Sequence, residues 1–286
     1  MKRSTWAVIL LLVVSTSHGA GVAPSEVPLP PGVKAVWDLA KAFREKTPTR
    51  ERVCLNGLWR WQPAGALTDA VPAGKWGFFK VPGFWPGTTN YIQEDCQTLH
   101  VHPSWKTANI RGITAAWYQR EITVPKEWGG RRIALAAEYV NSFAVVYLDG
   151  KKVGELRFPA GEVDLSAACR PGGKHVLSLL VVAMPLKGVL LSYTDTNSAR
   201  TVKGTVERRG LCGDVFLAST PAVARISDIK VDTSVRKGEI TVSTALDGLV
   251  PQGQYALRVS LRENGRAVHE FTSKPFTAVG LKGGRM

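Results

Sequence analysis

Residues 116–125 read AWYQREITVP, and the alternation in this run constrains the fold more than any other feature of the chain. Trp117, Gln119, Glu121 and Thr123 fall on one side of an extended strand, and Tyr118, Arg120, Ile122 and Val124 on the other. Neighbouring runs keep the same grammar. VCLNGLWRWQPAG (53–65) predicts a strand with a tight turn, and GFFKVPGFWPG (77–87) a short strand closed by prolines and glycines. RRIALAAEYV (131–140) is a further strand, and SFAVVYLDGKKVGEL (142–156) is two strands joined at Asp149–Gly150. HVLSLLVVAM (175–184) is nearly continuously apolar, as expected of a strand buried on both faces, and GDVFLAST (213–220) closes the series. Short strands at regular intervals with little helix predict an all-β sandwich or barrel.

Flanking segments differ. Lys2 and Arg3 precede a short apolar run, Trp6 to Val14, and then small and polar residues up to Ala23. The run is shorter than the ~20 residues a membrane helix needs, so residues 1–23 read as a secretory signal. The expected location is secreted or periplasmic, with no integral membrane association. Residues 24–49 form a lead-in: a proline-rich stretch followed by KAVWDLAKAFREK (34–46), where Val36, Leu39, Ala40 and Phe43 share one face of a short amphipathic helix.

After Pro221 to Ala224, a linker, a second run of strands begins: ARISDIKVDTSV, GEITVSTALDG, GQYALRVSLREN and RAVHEFTSKPF. Tyr255, Leu257, Val259 and Leu261 alternate. An immunoglobulin-like sandwich needs about seven strands in about 100 residues. Only some four fit between 224 and 286, so this second sandwich is expected to be incomplete, with open apolar faces and edges.

The formal net charge is +14. Its lysines and arginines are scattered, without a dense basic block interleaved with aromatics, which argues against a nucleic-acid partner. Cys54, Cys96, Cys169 and Cys212 are even in number and, in an exported chain, permit two disulfides with three possible pairings; buried thiols are the alternative. Their spacing fits neither zinc nor a redox motif. His100 and His102 share a strand face but lack a visible third ligand, and no clustered acidic loop suits a hard cation. No metal and no cofactor is expected.

LNGLWRW (55–61), KVPGFWPG (80–87), AWYQREITVPKEWGGRRIALAAEYVNSFAVVYLDGKKVGE (116–155) and RRGLCGDVFL (208–217) together resemble the N-terminal sugar-binding domain of glycoside hydrolase family 2, which includes β-galactosidases, β-glucuronidases and β-mannosidases. The resemblance covers residues 50–220. It implies a jelly-roll, galactose-binding-like β-sandwich, followed at 224–286 by a partial immunoglobulin-like β-sandwich. Asp149 stands where relatives usually carry Asn, a mild change because both suit that turn.

The family keeps its general acid and nucleophile in a TIM barrel beyond these two modules, and no barrel pattern is present here. Retaining hydrolysis needs two carboxylates about 5–5.5 Å apart. Glu94 and Asp95 would point to opposite faces of a strand, and Glu162 and Asp164 read as a solvated face. No catalytic residue is therefore assigned.

The resemblance also implies that the jelly roll lends polar groups to a sugar pocket. Asn90 and Tyr91, after Thr88 and Thr89, pair an amide with an aromatic ring, suited to sugar hydroxyls and C–H faces; the bland alternative is a turn cap. Asp195 and Asn197 are free polar groups in the 191–205 loop, which also reads as surface. Where galactosidase-like relatives carry an acid, this chain has Gly204 or Thr205, with Glu207 nearer the glycine. Of the tryptophans, Trp85 and Trp105 lie in irregular segments and could face a ligand, Trp85 first; the others read as core. In RRGLCGDVFL, Gly210 and Gly213 suit tight backbone geometry, Asp214 a hydrogen bond, and Arg208 and Arg209 solvent or carboxylates. The expected function is the non-catalytic front of an exported family 2 hydrolase, with oligosaccharide or polysaccharide ends as partner and a barrel domain elsewhere. The alternatives are a stand-alone carbohydrate-binding module and a structural protein derived from such an enzyme.

Overall fold

Asp149 and Gly150 both take positive φ, 49° and 79°, the backbone a two-residue hairpin turn requires. This turn joins two strands of a molecule built almost wholly from antiparallel pairs. The computed structural model describes residues 25–65, 70–85, 98–183, 188–193, 199–204, 208–281 and 283–286.

The strands are β1 (Arg44–Lys46), β2 (Glu51–Cys54), β3 (Gly57–Pro63), β4 (Gly77–Val81), β5 (Leu99–His100), β6 (Ala115–Thr123) and β7 (Arg131–Ala137). There follow β8 (Val140–Asn141), β9 (Phe143–Leu148), β10 (Lys151–Arg157), β11 (Gly161–Asp164), β12 (Lys174–Val182), β13 (Gly188–Tyr193) and β14 (Ala199–Gly204). The last are β15 (Gly210–Leu211), β16 (Val215–Pro221), β17 (Arg225–Ser234), β18 (Glu239–Asp247), β19 (Arg258–Glu263) and β20 (Arg266–Thr272). A five-stranded sheet runs β1-β2-β16-β7-β11 and a seven-stranded sheet β10-β9-β12-β6-β3-β4-β5.

One apolar core lies between the two sheets. Val53, Ile133, Leu135, Val215 and Leu217 face it from the smaller sheet, and Trp59, Trp61, Tyr118, Val146, Leu177 and Leu179 from the larger. The outer face of the seven-stranded sheet is also covered in part, by Trp76, Trp117, Tyr147 and Leu180 under Ala64 and Val71. That second cluster explains the unbroken apolar run of β12: Leu177, Leu179 and Val181 point inward and Leu180 outward. On the outer face of the five-stranded sheet, Arg52 lies 4.3 Å over the ring of Phe216. Arg52 also holds Glu45 and Glu138 there, Arg44 holds Glu51 and Glu127, and Arg132 holds Glu162 and Asp164. This is a solvated, charge-paired surface.

The lead-in is not a helix. Residues 34–43 follow a turned, irregular path and pass into β1. Trp37, Leu39 and Ala42 pack against the core, whereas Val36 and Phe43 are 86% and 63% exposed. The helical spacing of apolar residues is met here by a strap that inserts side chains one at a time. It is anchored at one end by Glu26 bridging to Trp76 and at the other by the Trp37 indole N–H donating to the Cys54 carbonyl at 2.9 Å.

Beyond Pro221 the chain forms two hairpins, β17–β18 and β19–β20, and residues 284–286 pair back onto β18. Val231 opposes Val242 and Val259 opposes Phe271, so each hairpin has an apolar face. These faces are partly open: Ile229 and Val231 are 56% exposed, Phe271 52% and Ile240 51%. Among the described residues no helix is long and apolar enough to cross a membrane.

Candidate functional site

RRGLCGDVFL returns the chain to the core beside the strand end of KVPGFW. The Gly83 N–H donates to the Leu211 carbonyl and the Trp85 N–H to the Arg209 carbonyl, both at 2.9 Å, which zips the two segments together. Gly210 sits at φ 112°, and a Cβ there would come within 2.8 Å of the Trp85 Nε1 and of the Tyr118 hydroxyl. Only glycine allows so close a return. Gly213 is equally tight, with Tyr139 N 2.6 Å from a would-be Cβ. Asp214 accepts from the Asn56 amide at 2.8 Å, and the Asn56 amide oxygen accepts from Val215 N–H at 3.1 Å, which ties the β2–β3 turn to β16.

Beneath this return, Trp85 donates its indole N–H to the Tyr118 hydroxyl at 2.6 Å. Burial pushes the Tyr118 phenol well above its ordinary range, against the pull of its hydrogen bonds, so it stays neutral. Arg209 lies 5.6 Å from the Trp85 ring and donates to the Ile113 carbonyl; burial lowers its pKa. Arg208 lies 5.4 Å over Phe84, and its carbonyl accepts from the Asn141 amide at 2.5 Å. Arg208 is exposed and lies over an aromatic face, in keeping with the solvent placement expected for it, whereas Arg209 is buried against Trp85 and the Ile113 carbonyl.

In the sequence, residues 86–97 follow Trp85 and residues 205–207 precede Arg208. Asn90, Tyr91, Thr88, Thr89, Asp195, Asn197, Thr205, Glu207 and Cys96 lie outside the described residues. Trp85 is described, and it is fully buried in the main core. A ring so enclosed does not lie against a sugar; it packs in the core on the Tyr118 hydroxyl. Trp105 likewise packs, edge-on to Trp61 at 5.5 Å, with its N–H on the Lys75 carbonyl. Trp59, Trp61, Trp76, Trp117 and Trp128 are buried, as expected.

The other candidate groups are engaged elsewhere. Arg132 lies between Glu162 and Asp164, at 2.8 and 3.0 Å. His102 is buried and its Nδ1 meets Ser104; no cluster of three or more metal-ligating side chains exists among the described residues. Cys54, Cys169 and Cys212 are free thiols, so the disulfide expectation fails for all three. Burial pushes Cys169 up to about 11 and Cys212 up to about 12, which removes them from thiolate chemistry.

Two polar devices were not apparent from the sequence. Arg120 buries its guanidinium against the carbonyls of Leu55, Asn56 and Leu58, the latter two at 2.8 and 2.6 Å, over the Trp59 ring. His175 Nε2 accepts from the Arg170 N–H at 3.0 Å, which places its proton on Nδ1, 2.6 Å from Asp149. The signal for the first was an arginine in an inward-facing position of β6; the second had none.

No family model matches the chain. A curated β-glucuronidase of Felis catus is 27% identical over 224 residues, covering 68% of this chain and 32% of its own length. The solved β-glucuronidase of Bifidobacterium dentium, complexed with coumarin-3-O-glucuronide, superposes with a TM-score of 0.58 and 21% identity, over 80% of this chain and 41% of its own. The β-D-glucuronidase of Dictyoglomus thermophilum gives a TM-score of 0.55 at 17% identity, over 82% and 38%. The chain shares its fold with part of a β-glucuronidase. It spans about a third of the curated relative's length and about two fifths of the solved ones. Trp85, Tyr118, Gly210 and the paired 83–85 and 209–211 segments form one packed framework in the part of this chain that shares that fold.

Proposed function

We propose that this chain is the non-catalytic, sugar-binding portion of an exported glycoside hydrolase of family 2. Its two large sheets are read as the family's jelly roll, and β17–β20 as part of an immunoglobulin-like module. Residues 1–23 are read as the signal that directs export. A rim above Trp85 and Arg209 shapes one wall of a pocket for a terminal β-linked sugar, with Asn90, Tyr91, Asp195 and Asn197 as its contact groups. Hydrolysis is assigned to a barrel of the kind the family uses, outside these residues.

The observation that carries this reading is the extent of the fold match: most of this chain corresponds to a minor part of each β-glucuronidase. The carboxylates support it. A retaining dyad needs one protonated and one ionised group about 5–5.5 Å apart. Glu162 and Asp164 instead share Arg132, and Glu26 and Glu121 share Arg60. A guanidinium between two carboxylates makes an ion-pair cluster, not a proton-transfer pair.

Purified protein incubated with nitrophenyl β-glucuronide, β-galactoside and β-mannoside is expected to show no turnover. Calorimetric titration with the matching methyl glycosides is expected to show weak binding that Asn90→Ala or Asp195→Ala reduces. Hydrolysis by the purified chain, or absence of binding to every glycoside, would overturn the reading.

A further inference from the structure

The strap leaves a cavity of about 420 Å³ between itself and the outer face of the seven-stranded sheet. Its floor is a cross-strand row that strand pairing alone defines. Phe78 is opposite Arg60, Arg60 opposite Gln119, and Gln119 opposite Ser178. Residues directly opposite in antiparallel strands share a face, so these side chains stand side by side under the strap. They are also wired together. Arg60 donates to Glu26 at 2.7 Å and to Gln119 at 3.2 Å, and Gln119 donates to Ser178 at 3.2 Å. Glu121 approaches Arg60 at 3.4 Å and keeps 67% of its side chain exposed.

The walls are of two kinds. Trp37, Leu29 and Val33 of the strap give an apolar flank, and Lys34 and Lys174 bring positive charge. No carboxylate partner is found for either lysine among the described residues, whereas Arg60 holds both carboxylates of the groove. Donor, acceptor and apolar surface thus lie side by side, with cationic charge in excess. The second crevice of similar volume, near Thr220 and Tyr255, differs: its Arg50, Arg225 and Arg258 are already paired with Glu162, Asp247 and Glu270.

We propose that the groove beneath the strap is a separate binding site for a short acidic oligosaccharide. Sugar hydroxyls meet the free carboxylate oxygens of Glu26 and Glu121, a C–H face lies on the strap's apolar flank, and the acidic group is held by Lys34 and Lys174. A cavity of this size suits one or two sugar rings. None of its lining residues belongs to the rim above Trp85, so the site stands whether or not the rim binds a terminal sugar.

The test uses the intact chain and trigalacturonate as probe, with maltotriose and a glutamate heptapeptide as comparators, by calorimetric titration. Trigalacturonate is expected to bind and the comparators to bind at least about tenfold more weakly, with affinity falling as salt rises. Lys34→Ala with Lys174→Ala is expected to cost at least about tenfold in affinity while leaving the thermal midpoint unchanged, because both side chains are on the surface. Asn90→Ala, at the rim, is expected to leave trigalacturonate binding intact. No binding of trigalacturonate, equal binding of either comparator, or full affinity in the double lysine variant overturns the proposal.

Discussion

The indole N–H of Trp85 lies 2.6 Å from the Tyr118 hydroxyl, and both rings are closed off from solvent. This pair holds the 83–85 and 209–211 segments together from inside, so its loss is expected to appear in stability first. Trp85→Ala should cost about 3–5 kcal/mol through the cavity it leaves, and Trp85→Phe about 1–2 kcal/mol through the lost hydrogen bond. Urea denaturation followed by circular dichroism measures both. A neutral Trp85→Ala would contradict the buried placement.

Gly210→Ala is expected to destabilise by about 2–4 kcal/mol, because φ 112° disfavours any side chain and the new methyl would meet Trp85 and Tyr118. The control is Gly150→Asn. It keeps the turn's left-handed geometry and meets nothing within 4 Å, so it should leave the midpoint nearly unchanged.

Arg120→Met keeps the apolar stem and removes the donors that hold the Leu55, Asn56 and Leu58 carbonyls. Those carbonyls are left under-satisfied in or near the core, at an expected cost of about 3 kcal/mol or more. Hydrogen exchange should localise the damage, with Gly57 and Leu58 losing protection before β12 does.

Acid should weaken the fold through Asp149 and Asp164. Burial acts to raise each pKa, but hydrogen bonds outweigh it: from Val176 N–H and His175 for Asp149, and from Ser166 and Arg132 for Asp164. The folded values therefore lie below the unfolded ones. Each carboxylate contributes stability that is complete above about pH 4 and is lost as pH falls through its depressed folded value. Asp149→Asn and Asp164→Asn should lower the midpoint at pH 7 and flatten its decline below pH 4. An unchanged acid limb in both would contradict the pairing.

The thiols should be inert in the native protein. With Cys169 near 11 and Cys212 near 12, iodoacetamide at pH 8 is expected to modify them far more slowly than in urea. Mass spectrometry of the two digests decides. Rapid native labelling of Cys212 would contradict its enclosure.

Much of the architecture was legible because strands announce themselves locally. The alternation at 116–125, the Asp149–Gly150 turn and the two-sided apolar run of β12 each follow from side-chain period and turn chemistry. What was lost depended on neighbours distant in sequence. The spacing of Val36, Leu39, Ala40 and Phe43 satisfies a helix, yet the strap needs only Trp37, Leu39 and Ala42 to reach pockets in the sandwich. Trp85 looked open because irregular sequence surrounds it, whereas Tyr118 and Gly210 enclose it from other strands. Arg208 and Arg209 show their charge in the sequence, but not the rings of Phe84 and Trp85 on which they lie. The groove was invisible for the same reason: its floor is written across β3, β4, β6 and β12, and its wall in the lead-in.

The half-open faces of β17–β18 and β19–β20 govern how this chain behaves as a colloid. A net charge of +14 keeps copies apart at low ionic strength, where the screening length is tens of ångströms. At 1 M salt that length shrinks to about 3 Å, and Ile229, Val231, Ile240 and Phe271 can then meet their counterparts on another molecule. Salt, which quiets charge elsewhere, makes these molecules attract.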